Sequence, residues 1–244
     1  MKKEVSCSIA LGGIPLDLSL RFPETARYFR KYLRTETLEQ RDPVFVSDRA
    51  FSDWAACGNA VDPFAEFCLL CQPISEGLMG QGGCVFHGAA LRCGDKAILL
   101  SGGSGAGKST HVGRLLAGYG EEFSVINGDK PVLTLSESGV TVHPSPWNGK
   151  EGLHGGDAAP LAAIYYLHRC EEDGVESCPP RKAGAFAFPM VFQSFYDENV
   201  IRAAAAVTEK IITAAPCYLF HTHDIEASSQ LLYRSIKEVS GNGL

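Results

Sequence analysis

The 244 residues are 45% apolar and 20% charged, a balance that supplies a buried core for one large domain, or a domain with an appended lobe, and excludes a disordered chain. A net charge of −6 argues against nucleic acid or an anionic membrane surface as the main partner. It leaves phosphate ligands open, because a phosphate site is a local arrangement of backbone N–H groups and one or two cations.

At the N-terminus, Val5, Cys7 and Ile9 alternate as in an edge strand, and Glu4, Ser6, Ser8 and Asp17 interrupt any apolar core of a signal peptide. No apolar run approaches the ~20 residues of a membrane-spanning helix. Residues 22–40 read as a polar helix with Pro23 near its start and Arg27, Arg30 and Arg34 on one face, which is a solvated face or an anion-facing one. In "DPFAEFCLLCQPISEGLM", Asp62 is a helix cap and Pro63 the first helical residue, and Pro73 should break or kink the helix. Nine cysteines, an odd and scattered set, point to reduced thiols and a cytoplasmic location. Cys68 and Cys71 have metal-knuckle spacing but no second pair, so both read as core residues.

From Cys84 the pattern changes. "CVFHGAAL" and "AILLS" are apolar runs joined by the turn-forming "RCGDK", and together they predict a hairpin. A Gly-rich loop follows, and then a helix with Val112, Leu115, Leu116 and Tyr119 on one face. "FSVIN" is the next strand, "PVLTL" and "VTVHP" a second hairpin, "LAAIYYLH" and "CYLFHT" buried strands. "CEEDGVESCPP" reads as a surface loop, and residues 198–214 and 224–239 as closing helices.

The loop carries the chemistry. Residues 102–109, "GGSGAGKS", fit G-x-x-x-x-G-K-[ST], in which glycines let backbone N–H groups curl around phosphate oxygens. Gly102, Gly103, Ser104, Gly105, Ala106, Gly107, Lys108, Ser109 and Thr110 are therefore the candidate nucleotide-binding residues. Lys108 supplies a cation to the outer phosphates and Ser109 a hydroxyl to Mg²⁺. Asp129, just past "FSVIN", completes the metal site or takes a proton from an acceptor, unless it merely starts the next turn. Lys150 in "SPWNGKEG" is a further phosphate contact and Trp147 a pocket wall, unless that stretch is a solvated turn. His221 and His223 share a strand face at a spacing metals use, but with no third ligand they read as surface or core histidines.

"FHGAAL", "AILLSGGSGAGKST" and "INGDKPVL" together resemble the HPr kinase/phosphorylase family, which is related in fold to phosphoenolpyruvate carboxykinase. The resemblance covers about residues 84 to 170. It implies an α/β P-loop domain with a hairpin-containing mixed sheet flanked by helices over 81–244, and a divergent N-terminal lobe of the same unit over 1–80. It makes His87 the active-site histidine, Asp129 the second acid of the family's pair and Lys130 the basic residue after it. Gly128 stands where the first acid belongs, so Asp129 must serve both metal and base, or His87 shares the proton work; otherwise His87 is a packed strand histidine. The family's downstream phosphorylase segment is not recognisable.

The resulting expectation is a kinase that uses ATP and Mg²⁺ to phosphorylate a hydroxyl, first a serine of a small protein or peptide. A small-molecule acceptor (free serine, a sugar or a metabolite) and a nucleotide-binding regulator with little turnover are the alternatives. Nucleic acid and membrane partners are not expected, and homo-oligomerisation stays open.

Overall fold

The computed structural model describes residues 5–35, 42–149, 152 and 155–241. The first pair of strands, β1 (Val5–Leu11) and β2 (Ile14–Leu20), turns on Gly12 and Gly13. Both glycines have positive φ, as a tight hairpin turn requires. The strands bury Ile9, Leu11, Leu16, Leu18 and Leu20. The expected helix over 22–40 is shorter and tighter: a 3₁₀ helix spans Pro23–Tyr32, and residues 36–41 lie outside the described part. Its start is capped from another element. The buried carboxylate of Glu66 accepts from the backbone N–H groups of Arg21 (2.6 Å) and Phe22 (3.0 Å) and from the Thr25 hydroxyl (2.6 Å). A buried carboxylate needs such donors, and they tie the 3₁₀ helix to the helix that carries Glu66.

Helix α1 (Asp48–Ala56), capped by Ser47, has no counterpart among the sequence expectations. Helix α2 (Pro63–Leu69) starts at Asp62 as expected. The break comes at Leu70, and α3 (Cys71–Met79) follows, which puts Pro73 in a first turn where no helical N–H partner is needed. Then come β3 (Gly83–Val85), β4 (Ala89–Cys93), β5 (Lys96–Ser101), α4 (Lys108–Tyr119), β6 (Phe123–Asn127), β7 (Val132–Ser136), β8 (Gly139–His143) and β9 (Ala159–Arg169). The last part is β10 (Gly174–Ser177), α5 (Pro180–Ala187), α6 (Glu198–Ala214), β11 (Cys217–Thr222) and α7 (Ile225–Val239). The segment expected as a surface loop therefore contains a strand, β10, because β11 offers it an edge to pair with.

These elements make a mixed α/β structure. Among the described residues the larger sheet has nine strands in the order β3-β7-β8-β9-β5-β4-β6, with β11 on the far half of β9 and β10 outside it. Strand β9 is long enough to serve three neighbours: its first residues pair with β8, its body runs parallel to β5, and Ile164 to Arg169 run parallel to β11. Helices α5 and α6 cover one face through Ala183, Ala187, Val207 and Ile211, and α4 and α7 cover the other through Val112, Leu115, Leu232 and Ile236. A third core joins β1, β2, the 3₁₀ helix, α2 and α3 to Val85, Val132 and Trp147. No described helix is long and apolar enough to cross a membrane. All nine cysteines are free, and Cys71 is buried in the third core.

One buried polar residue ties α4 to α7. The His111 ring is fully buried, with Nδ1 2.9 Å from Ser229 Oγ and its edge on Phe220. Nε2 has no hydrogen-bond partner among the described residues and lies under Gly107. Burial pushes this imidazole down to about 4, so the folded state holds it neutral. The unfolded chain protonates near 6.5, so stability is complete above that pH and declines as pH falls toward 4, by no more than about 3 kcal/mol. We expect the urea midpoint to fall over that window in the parent and to fall less in His111→Gln; equal slopes would remove His111 as the cause.

Candidate active site

The loop of residues 102–107 leaves the C-terminal end of β5 and enters α4 at Lys108. Gly102, Gly105 and Gly107 have φ of 146°, 76° and 101°, a region that side chains other than glycine's rarely adopt. At Gly102 space is also short: a Cβ would sit 3.0 Å from the Leu167 carbonyl oxygen. Gly107 precedes the helix and offers no side-chain cap, so the N-terminal N–H groups of α4 face the loop. The Lys108 ammonium folds back and donates to the carbonyl oxygens of Gly102 (2.8 Å) and Gly103 (3.1 Å). Burial lowers its pKa, with Lys130 acting the same way and Asp129 opposing.

The acid arrives from β6. Because β4 is antiparallel to both β5 and β6, those two strands run the same way and end on the same edge of the sheet. At the end of β6, Asn127 is fully buried and organises the turn that follows. Its Oδ1 accepts from the N–H groups of Asp129 (2.9 Å) and Lys130 (2.7 Å). Its Nδ2 donates to the Ser145 carbonyl and hydroxyl and to Asn148 Oδ1. Gly149, at φ 74°, then passes so close that a Cβ there would lie 3.1 Å from Asp129 Cβ. Asn127 and Gly149 were not singled out from the sequence. Their only signals were positional, two residues before the acid and inside an Asn-Gly turn.

His87 does not lie on a continuous strand. Residues 84–91, expected as one arm, break between β3, which pairs with β7, and β4, which pairs with β5 and β6. At the break the His87 N–H donates to the Met190 carbonyl (2.7 Å), and the Gly88 N–H to the Asp129 carbonyl (2.9 Å). This sets His87 Nε2 3.5 Å from Asp129 Oδ1, while the Lys130 ammonium closes on Oδ2. Burial, with Lys108 and Lys130, lowers the His87 pKa against the pull of Asp129, so the ring is neutral at neutral pH.

One cleft of about 540 Å³ gathers these groups: His87, Gly128, Asp129 and Gly149 on one side, residues 104–110 on the other, and Arg169 at the end of β9. Of the residues expected from the sequence, Gly102 and Gly103 form the root of the loop, and Lys150 lies outside the described residues. Trp147 does not line the cleft. It is buried, stacked on Phe67, and its Nε1–H donates to the Phe67 carbonyl (3.0 Å), because the aromatic core offers it a partner for both ring and N–H. Arg169 went unnoticed because it only follows a buried strand in sequence. The Ser109 hydroxyl and the Asp129 carboxylate are hard oxygen donors on the same cleft, a set that suits Mg²⁺.

Asn127→Ala removes the clamp under the Asp129 turn and leaves buried partners unpaired. We expect a loss of about 2 kcal/mol or more in urea denaturation, with the separate loop of residues 102–107 left in place. An unchanged midpoint would show that the turn holds itself.

No protein-family model matches this chain, and no curated protein matches it in sequence. Among solved structures, the Hpr(Ser) kinase/phosphatase from Coxiella burnetii is similar to part of it, over 64% of this chain and 93% of that one, at 11% identity and a TM-score of 0.37. A likeness of that extent carries no functional argument, which rests on the cleft itself.

Proposed function

We propose that the chain is an ATP- and Mg²⁺-dependent kinase of the HPr kinase-like type, transferring the γ-phosphoryl group to a hydroxyl, first a serine of a small protein or peptide. The observation that carries this reading is the meeting, in one cleft, of a glycine-built phosphate loop with its lysine and of an acid–imidazole pair. The loop N–H groups, Lys108 and Arg169 hold the phosphates. Ser109 and Asp129 would hold Mg²⁺, which when bound neutralises charge on the phosphates. As the new O–P bond forms and the bond to the β-phosphate breaks, the acceptor's proton passes to Asp129, or to the neutral His87 beside it. Positioning and charge neutralisation do most of the work in such a transfer.

A second cleft of about 720 Å³ is lined by Arg27, Arg30 and Lys31 of the 3₁₀ helix and by Pro146 and Asn148. Asn148 adjoins Gly149, which touches Asp129. Three cations there favour an acceptor with an anionic group near its hydroxyl, which suits an acidic peptide and also a phosphorylated or carboxylated metabolite. A regulator without turnover is the second reading. It is favoured by Gly128 in place of the first acid and by the close Lys130–Asp129 ion pair, which competes for the carboxylate. Labelled ATP with Mg²⁺ and an acceptor mixture separates the readings: label on a hydroxyl supports the kinase, and tightly bound, intact ATP supports the regulator.

Lys108→Ala is expected to abolish turnover and strongly weaken nucleotide binding by calorimetry; parent-like affinity would overturn the phosphate assignment. Asp129→Asn is expected to keep nucleotide while turnover falls by ~10²-fold or more.

For His87→Ala we expect a turnover loss of ~10-fold or more with the melting temperature nearly unchanged. Since burial lowers the parent imidazole's pKa, the acid limb of kcat/KM should lie below the ordinary imidazole range and should move or vanish in this variant. A loss of stability with activity tracking only the folded fraction would assign His87 to packing.

A further inference from the structure

Strands β9 and β11 run parallel with His168 and His221 in register, so both imidazoles leave the same face of the sheet. Cys170 lies two residues beyond His168, and its N–H donates to the Thr222 carbonyl (3.1 Å), which holds it beside the pair. Its Sγ is 3.5 Å from His168 Nδ1 and 3.3 Å from His221 Nδ1, and the ligand atoms of all three residues lie within 4.8 Å of one another. His221 thus finds its partners across the sheet. His223 takes no part in the cluster, since β11 ends at Thr222 and the His223 N–H donates to Asp173.

We propose that His168, Cys170 and His221 bind one divalent cation of the zinc type, with the fourth position left to water or a small ligand. Three observations support the assignment. Zinc–sulfur and zinc–nitrogen bonds of about 2.3 and 2.0 Å at tetrahedral angles imply a sulfur–nitrogen separation of about 3.5 Å, and both observed separations are close to it. A lone thiol has a single proton and can donate to only one of the two nitrogens it faces. A cation satisfies all three atoms at once.

The third observation is the far side of His221. Its Nε2 lies 3.2 Å from Glu176 Oε1 on β10, so the carboxylate fixes the ring with Nδ1 aimed at the cysteine. A carboxylate behind a metal-binding histidine is the usual support for such a ligand. Two imidazoles and a thiolate are softer than the oxygen set of the phosphate cleft, so this site selects zinc over magnesium. Arg169, between two of the ligands, lines the phosphate cleft instead. Loading releases the Cys170 thiol proton to solvent as the sulfur–metal bond forms.

The test is titration of the reduced, metal-free full chain with Co²⁺, followed by Zn²⁺. We expect one equivalent of cobalt to give a sulfur-to-metal charge-transfer band and tetrahedral visible bands, and zinc to displace it. Cys170→Ser should lose the sulfur band while keeping its melting temperature, and Cys57→Ser, which alters an exposed thiol elsewhere, should retain it. Glu176→Gln should keep the spectrum and bind zinc roughly 10–100-fold more weakly. Absence of saturable uptake, or an unchanged sulfur band in Cys170→Ser, would overturn the proposal.

Discussion

The buried amide of Asn127 is the constraint on which the candidate site depends. A primary amide out of water must spend both its donor hydrogens and its carbonyl oxygen on protein partners, or its burial costs more than its packing returns. Asn127 meets that demand with contacts to two backbone N–H groups ahead of it and to Ser145 and Asn148 across the turn. The end of β6, the Asp129–Lys130 turn and the 145–149 segment are thereby made one unit. The Ser145 hydroxyl adds to it by donating to the Lys130 carbonyl. Gly149 can then run against Asp129, and the carboxylate is presented to His87 rather than to solvent.

Sheet topology brings that unit to the glycine-rich loop of residues 102–107. Strand β5 sits between β4 and β9 with its C-terminal end on the edge where β6 and β9 also end. Loop, acid and Arg169 come from three separate parts of the chain and meet because three strands share a direction. The same edge continues to β11, where the His168, Cys170 and His221 cluster lies. A cleft outside the carboxyl ends of such strands is where open α/β sheets hold ligands. The helices on both faces leave it accessible while shielding the strands beneath.

Local charge runs against the global charge. A chain with a net charge of −6 concentrates Lys108, Lys130 and Arg169 around one carboxylate. Partial burial lowers the pKa of both Lys108 and His87, and each is further lowered by a cationic neighbour. An anionic ligand would relieve only the part of the lowering that the cations cause, and the larger part, due to burial, would stay. The neutral imidazole beside Asp129 follows first from burial and then from the same cations.

What the sequence determined is what depends on neighbours in the chain. The loop of residues 102–109 was legible because its glycines and lysine stand at covalently set spacing, and closing helices α6 and α7 because a helix makes its backbone bonds within its own segment. The hairpin partners β4 and β5, and β7 and β8, were legible for the same reason. Tertiary structure decided what depends on residues far apart. Residues 84–91 split because their two halves pair with different strands, and β10 exists because β11 supplies an edge. Trp147 went to the aromatic core, Arg169 to the cleft, and His221 to Cys170. None of these follows from propensity or spacing, since each is the outcome of competition among distant partners for burial and hydrogen bonds, and only the assembled sheet resolves that competition.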